Sequence, residues 1–260
     1  MTPMELIKTR KSVRTFDGRP LGEEDKAKLL AYTETITNPY GIPVTFVLLD
    51  ADEVGLSTPV ITGEHLYIAA KVPQVEHAAE AFGYAFEAMV LYAWSLGIGT
   101  TWIGGTMERQ VFEAAAQTGD DEFMMCVSPL GYPADEPAEV DAKLRAGVKG
   151  DERLPASDLY FEGDFATPLQ DADALALLEA VRWAPTAANK QPCRVVKDGN
   201  AYHFYEAHTP GYGAGRWDIQ RVDLGIALCH FVCVAGGAVS FEDPGLATPE
   251  DVDYIATVTI

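Results

Sequence analysis

The sequence predicts a mixed α+β protein assembled from two related halves. Apolar runs of strand length alternate with segments of helical period. Two long, mostly apolar stretches, Glu76–Leu96 and Val222–Phe241, carry more hydrophobic surface than a solvent-facing helix. The order of elements also recurs. Leu29-Leu30 … Pro43 and a strand are matched by Leu177-Leu178 … Pro192 and a strand, and Tyr84–Gly97 is matched by Asp223–Gly236. With 260 residues, 48% hydrophobic and 22% charged, the chain can bury a substantial core. That composition excludes disordered, collagen-like and coiled-coil classes.

The elements follow in order. Thr2 caps a helix, Pro3 suits its first turn and Glu5 closes a capping box, which predicts a helix over Met4–Thr9. Gly22 precedes a second helix, Glu23–Ile36, with Leu29, Leu30 and Ile36 as its apolar positions. Val44–Leu49 and Leu66–Val72 read as strands. Glu76–Leu96 is a long helix ended by Gly97 and Gly99, and Cys126–Leu130 is a strand. Residues 134–174 mix acidic residues, Pro and Ala, and read as an extended connector carrying Lys143, Arg145, Lys149 and Arg153. Beyond it come a helix over Ala174–Trp183 and strands at Tyr202–Tyr205 and Tyr254–Ile260. The expected organisation is a first half, 1–133, a connector, 134–174, and a second half, 175–260, together one compact unit.

Acidic residues number 39 against 19 basic, a net charge of −20. That field repels a phosphate backbone and anionic lipid, so neither nucleic acid nor a membrane surface is an expected partner. Asp223, His230 and three glycines interrupt the Val222–Phe241 stretch, which suits a helix buried in protein. The charged start, Met1–Arg14, has no apolar run of a signal peptide. Four cysteines without CxxC spacing read as reduced core residues, and the expected compartment is the cytoplasm. The five histidines have no paired ligand spacing, so no metal site is expected.

Three stretches carry chemistry. Lys8, Arg10, Lys11, Arg14 and Arg19 crowd into a short segment opposed only by Asp17, whereas residues 27–142 hold just Lys28, Lys71 and Arg109. Arginine forks with a serine between them suit a bound phosphate, and the same cations equally suit a solvated helix end. Ala184-Pro185-Thr186-Ala187-Ala188-Asn189-Lys190-Gln191-Pro192 has two prolines to fix the backbone, small residues that admit a flat ligand, and amide and hydroxyl donors. Gly97–Gly105 follows a buried helix, and its glycines can present backbone N–H groups without obstruction. Each of the last two also suits a purely structural turn.

Together the three stretches resemble the FMN-dependent nitroreductase family, in a single-chain form that fuses two half-repeats into a pseudo-dimer. Arg10-Lys11-Ser12-Val13-Arg14 resembles the family's Arg-x-Ser-x-Arg motif, which implies that Arg10, Lys11, Ser12 and Arg14 hold the FMN phosphate and ribityl chain. Ala184–Pro192 is similar to the Ala-Pro-Ser-x-x-Asn-x-Gln-Pro segment along the flavin, implying roles for Pro185, Thr186, Ala187, Asn189 and Gln191. Trp102–Gly105 aligns with the turn whose amides face the flavin ring, implying Gly104 and Gly105. Leu130–Pro133 matches the late Gly-Tyr-Pro strand end, and Arg153-Leu154-Pro155 the segment whose cation closes over the phosphate. The resemblance further implies a mainly antiparallel central sheet with flanking and long buried helices.

This sequence departs from the family in an informative way. The first half holds only a degenerate Thr37-Asn38-Pro39-Tyr40-Gly41-Ile42-Pro43 where the Asn-Gln-Pro loop is expected, and the second half lacks an Arg-x-Ser-x-Arg motif. Each half keeps what the other lost, so one flavin site per chain and a monomer are expected. Asp151 stands where a Lys is common, and Cys193 replaces a Trp. The implied activity is ping-pong transfer from NAD(P)H through FMN to a small aromatic or quinone-type acceptor, with no catalytic side chain assigned. Alternatives are other flavin chemistry on the same fold and a non-catalytic flavin or nucleotide binder. Tyr40, Trp102 and Tyr132 are candidates for the substrate face and equally for the core. Substrate access is expected around Met107–Met125.

Overall fold

The computed structural model describes residues 1–213 and 215–260. They form two compact units. The first comprises Met1, Thr9–Ala78 and Ala85–Lys149, and the second Thr2–Lys8, Ala79–Tyr84 and Gly150–Ile260.

Helix α1, Pro3–Thr9, opens with the expected capping box. Glu5 N–H donates to Thr2 Oγ1 at 3.2 Å, and Thr2 N–H to Glu5 Oε2 at 2.8 Å. Helix α2, Glu23–Thr33, stops before the expected Ile36. The hydroxyls of Thr33 and Thr35 take the carbonyls of Leu30 and Tyr32, which competes with helix continuation. Strand β1, Thr45–Asp50, short helix α3, Ala51–Val54, and strand β2, Leu66–Pro73, follow. Next come helices α4, Ala78–Ser95, and α5, Arg109–Ala115, then strands β3, Glu122–Phe123, and β4, Val127–Leu130. Helix α6, Glu139–Gly147, completes the first unit.

All pairings in the first unit's four-stranded sheet are antiparallel, with β1, β3 and β4 each paired to β2. Central position explains the nearly unbroken apolar run of β2, which is buried on both faces. Tyr67 and Ala69 enter a core with Leu49, Ile103, Phe112 and Val127. On the opposite face, Phe46 lies across from Ala70 and stacks on Phe86 of α4 at 6.0 Å.

The second unit takes nearly all of α1 and the first turns of α4, and adds β5, Tyr160–Glu162, α7, Ala172–Arg182, β6, Cys193–Asp198, β7, Ala201–Ala207, α8, Ile219–Ala235, β8, Ala238–Ser240, and β9, Val252–Thr259. Its five strands run in the order β5-β6-β7-β9-β8, antiparallel except for the parallel β5–β6 pair. Helix α8 is buried from Val222 through Phe231 because several elements cover it. Its Phe231 ring meets Tyr202 and Phe204 of β7, and its His230 Nδ1 lies 2.9 Å from the Ala180 carbonyl of α7. No described helix is long and apolar enough to cross a membrane.

Within this unit α8 also crosses the first turns of α4 at backbone distance. A Cβ on Gly83 would lie 2.1 Å from the Val222 carbonyl oxygen, and one on Gly225 2.1 Å from that of Glu80. The contact is reciprocal, as a two-fold interface would be. It makes Gly83 equivalent to Gly225 and Glu80 equivalent to Val222, a register three residues further on than the sequence match of Tyr84 with Asp223.

The expected extended connector differs from the structure. Residues 134–174 contain α6 and β5, and β5 joins the second sheet through Tyr160↔Val195. The helix starts where Ala138 N–H donates to Thr15 Oγ1 at 2.9 Å, a partner far away in sequence.

Candidate functional site

The cation-rich segment of the first unit is extended. Val13 N–H donates to the Thr100 carbonyl, and Arg14 C=O accepts from Thr62 N–H, while Ser12 bridges Thr100 and Thr15 bridges Thr62. Alternation along such a segment turns Ser12 and Arg14 to one side and Val13 to the other, where it is buried. The i, i+2 spacing of the motif is therefore what gathers its polar groups.

The two arginines are not bare. Arg10 is buried, with Nε 3.7 Å from Oε1 of the fully buried Glu87. Burial lowers the Arg10 pKa, the Glu87 charge opposes that shift, and the Arg145 charge adds to it. Glu87 Oε2 accepts from the Trp102 indole N–H at 3.0 Å. Arg14 Nη1 donates to Asp141 Oδ1 of α6 at 3.1 Å. Lys11 is exposed and Ser12 half-buried.

Next to this segment lies the glycine turn. Ile103 and Val127 exchange both backbone hydrogen bonds, after which the chain turns at Gly104 and Gly105. Arg109 fixes the turn: its Nη2 donates to the Gly104 carbonyl at 2.8 Å and to that of Met125 at 3.1 Å, and its Nη1 donates to Met124 O. In a planar trans peptide the N–H opposes the C=O, so anchoring the Gly104 carbonyl aims the Gly105 N–H the other way. Neither glycine amide donates to another described residue. Gly105 is exposed, and a Cβ there would meet nothing within 4 Å. Arg109 was visible in sequence as one of three cations over 27–142, with no motif to assign it a role.

In the second unit, Ala188, Asn189 and Gln191 adopt left-handed φ of 47°, 55° and 53°. Such residues cost free energy and persist where the surroundings over-determine them. Asp223 of α8 supplies one restraint, both carboxylate oxygens lying 3.0–3.1 Å from the Ala187 N–H. Burial raises the Asp223 pKa well above the carboxylate range, and the Ala187 N–H pulls against it. Thr186 Oγ1 accepts from Gln191 N–H at 3.0 Å. Sequence reading missed Asp223 because an acid inside an apolar helix gives no sign of which loop it meets.

The loop's amide side chains are occupied. Asn189 Nδ2 donates to the Glu152 carbonyl at 3.1 Å, and Gln191 Oε1 accepts from Leu154 N–H at 2.9 Å. Between those anchors Arg153 donates to the carbonyls of Gly150 and Glu152 and lies 4.8 Å over the Trp183 ring. The structure thus brings Arg153, Thr186, Asn189 and Gln191 together in the second unit, with Pro185 and Ala187 half-buried beside them. In the first unit it brings Arg10, Ser12 and Arg14 beside the extended segment that leads to Gly104 and Gly105.

Other expected positions are held by the protein itself. The Tyr132 hydroxyl donates to Asp25 at 2.6 Å, and the Tyr40 ring stacks on His77. Glu206, His208 and Asp218 bring possible ligand atoms within 4.8 Å, a grouping that histidine spacing did not reveal. Arg221 Nε lies 2.5 Å from Glu206 Oε2, Asp218 Oδ1 caps α8, and His208 pairs with Asp253, so the grouping carries its own counter-charge.

The family described as Putative TM nitroreductase matches residues 2–235. The chain belongs to that family. Among solved structures, one from Thermotoga maritima described as a putative nitroreductase superposes with a TM-score of 0.64 at 20% identity. It covers 100% of this chain and 94% of its own. A second, described as an oxidoreductase containing FMN, gives a TM-score of 0.51 at 18% identity over 64% of this chain and 93% of that one. These likenesses show the nitroreductase fold, with the mainly antiparallel sheets and long buried helices expected of it. A search of the curated proteins finds no match to the chain.

Proposed function

We infer that the protein is an FMN-dependent oxidoreductase that takes reducing equivalents from NAD(P)H and delivers them to a small aromatic or quinone-type acceptor. The observation that carries this reading is the Gly104–Gly105 turn, whose amides donate to no other described residue and whose orientation Arg109 fixes. The donor set fits the cofactor. Planar guanidinium forks and a hydroxyl suit a phosphate monoester, and free amides suit the polar edge of a flavin. When bound, FMN supplies hydride acceptance and onward transfer in alternating half-reactions. A neighbour that contains FMN supports the assignment.

Arg10, Lys11, Ser12 and Arg14 would hold the phosphate and ribityl chain, with Arg153 as a further cation. Gly104 and Gly105 would direct their N–H dipoles at the atoms where negative charge develops on reduction. Pro185, Thr186 and Ala187 would line the ring. Asn189 and Gln191 work one step removed, since their side chains hold the backbone that presents Arg153. The division of motifs between the halves supports a pseudo-dimer with one flavin per chain and a monomer in solution. Among the described residues no cysteine is in a disulfide, which suits the cytoplasm.

The test is the visible spectrum of the purified protein, with mass identification of what denaturation releases. FMN near one per chain supports the reading. A colourless protein that fails to take up added FMN removes it and favours a fold kept for another purpose. With flavin bound, Arg109→Ala should slow reduction by NAD(P)H while leaving FMN affinity largely intact, because it loosens the turn and not the phosphate site.

A further inference from the structure

Helix α6 docks on the cation segment through charge. Of its nine residues, only Asp141 is buried. A protein helix ordinarily docks on an apolar stripe, yet here Val140 is exposed, Leu144 is only half-buried, and the buried position is a carboxylate on Arg14. The second tether, Ala138 N–H to Thr15 Oγ1, is also polar and lands on the same extended segment. One turn beyond Asp141, Arg145 is near enough to Arg10 for its charge to be felt there. Arg10 and Arg14 thus each face a protein carboxylate, Glu87 and Asp141 respectively. Glu87 is locked in the core by Trp102, whereas Asp141 rides on a helix with little apolar surface to hold it.

We propose that Asp141 is an internal stand-in for phosphate, and that α6 releases Arg14 when a phosphate monoester binds there. A carboxylate and a phosphate cannot share one guanidinium at close range without strong like-charge repulsion. Asp141 therefore sets the affinity of the anion site, and anything too weak to displace it is rejected. The proposal rests on the reading of Arg14 as a phosphate ligand, with FMN as the phosphate ester.

Hydrogen exchange over residues 139–147 tests it, in wild type and in Asp141→Asn, with inorganic phosphate, with FMN, and with sodium chloride at matched ionic strength. Phosphate should accelerate exchange of α6 in wild type while chloride does not. Asp141→Asn should show fast exchange without ligand and bind phosphate and FMN about tenfold more tightly, as loss of a charge-assisted competitor allows. Unchanged or slowed α6 exchange on phosphate addition would overturn the proposal, as would weaker anion binding by Asp141→Asn, which would make Asp141 a positioning residue for Arg14. The wild-type phosphate arm stands whether or not the variant folds. Helix release by phosphate without FMN uptake would uphold the latch and remove the flavin reading, and FMN uptake with α6 unmoved would do the reverse.

Discussion

The two motif segments solve opposite problems. Around Arg10–Arg14, charged side chains meet carboxylates, Glu87 and Asp141. Around Ala184–Gln191, neutral amides meet backbone groups of Glu152 and Leu154. An anion can take the place of a carboxylate at an arginine, but no ligand reproduces a run of the chain's own backbone. On the proposal above, Arg14 exchanges Asp141 for an anion while Arg10 keeps Glu87, and the second segment stays as folded. A motif found in sequence says which residue types are needed, and only the partners reveal whether they serve the ligand or the loop.

The largest effect expected from that contrast is at Arg10. Arg10→Ala leaves Glu87 buried without its cation and should cost about 3–5 kcal/mol of stability in denaturant melts, with Arg10→Ala/Glu87→Gln recovering part of it. Full stability in Arg10→Ala would show that the pair is not what holds this region. Arg14→Ala should leave the fold intact and lower FMN affinity about 10–100-fold by flavin fluorescence titration, through loss of a charge-assisted fork. Unaltered affinity would place the phosphate elsewhere.

In the second segment the effects should be smaller and coupled. Asn189→Ala should weaken FMN binding by about 1 kcal/mol, and the Asn189→Ala/Arg153→Ala pair should lose little more than Arg153→Ala alone, because Asn189 acts through that backbone. Additive losses would mean Asn189 touches the ligand itself. The smallest effect concerns the ion-pair group that joins Glu206 of β7, His208 and Asp253 of β9 to Arg221 of α8. Burial raises Glu206 to about 7, against the pull of Arg221, and the Asp253 hydrogen bond raises His208. Raised folded-state values favour the protonated forms, so stability from both groups is present in acid. It is lost as pH rises from the unfolded carboxyl value through about 7 and then through the folded imidazole value. The melting-temperature difference between wild type and His208→Gln should therefore shrink from about pH 5 to about pH 8, and a difference that grows would reverse the assigned direction.

What could be read in advance was local or strongly apolar. The Thr2–Glu5 box needs only neighbours in sequence, and α4 and α8 announce themselves by composition. The Arg-x-Ser-x-Arg spacing likewise reports an extended segment with its polar groups on one side. Helix α6 stayed hidden because its polar tethers, Asp141 to Arg14 and Ala138 N–H to Thr15 Oγ1, reach residues distant in sequence and it buries no apolar stripe. The three residues of β5 are too few to give a period, and their strand character comes from pairing with β6. Arg109 and Asp223 act on backbone amides and carbonyls, which leave no signature in side-chain spacing. The Gly83–Gly225 crossing shows the same limit, since the glycines were visible but their register was not.

We infer that the cations of the first segment hold one flavin per chain. Titration of FMN into wild type and Arg14→Ala, followed by quenching of flavin fluorescence, addresses it directly. Wild type should saturate near one FMN per chain, and the variant's binding curve should shift to much higher concentration. Two equivalents per chain, no quenching at all, or superimposable curves would contradict it.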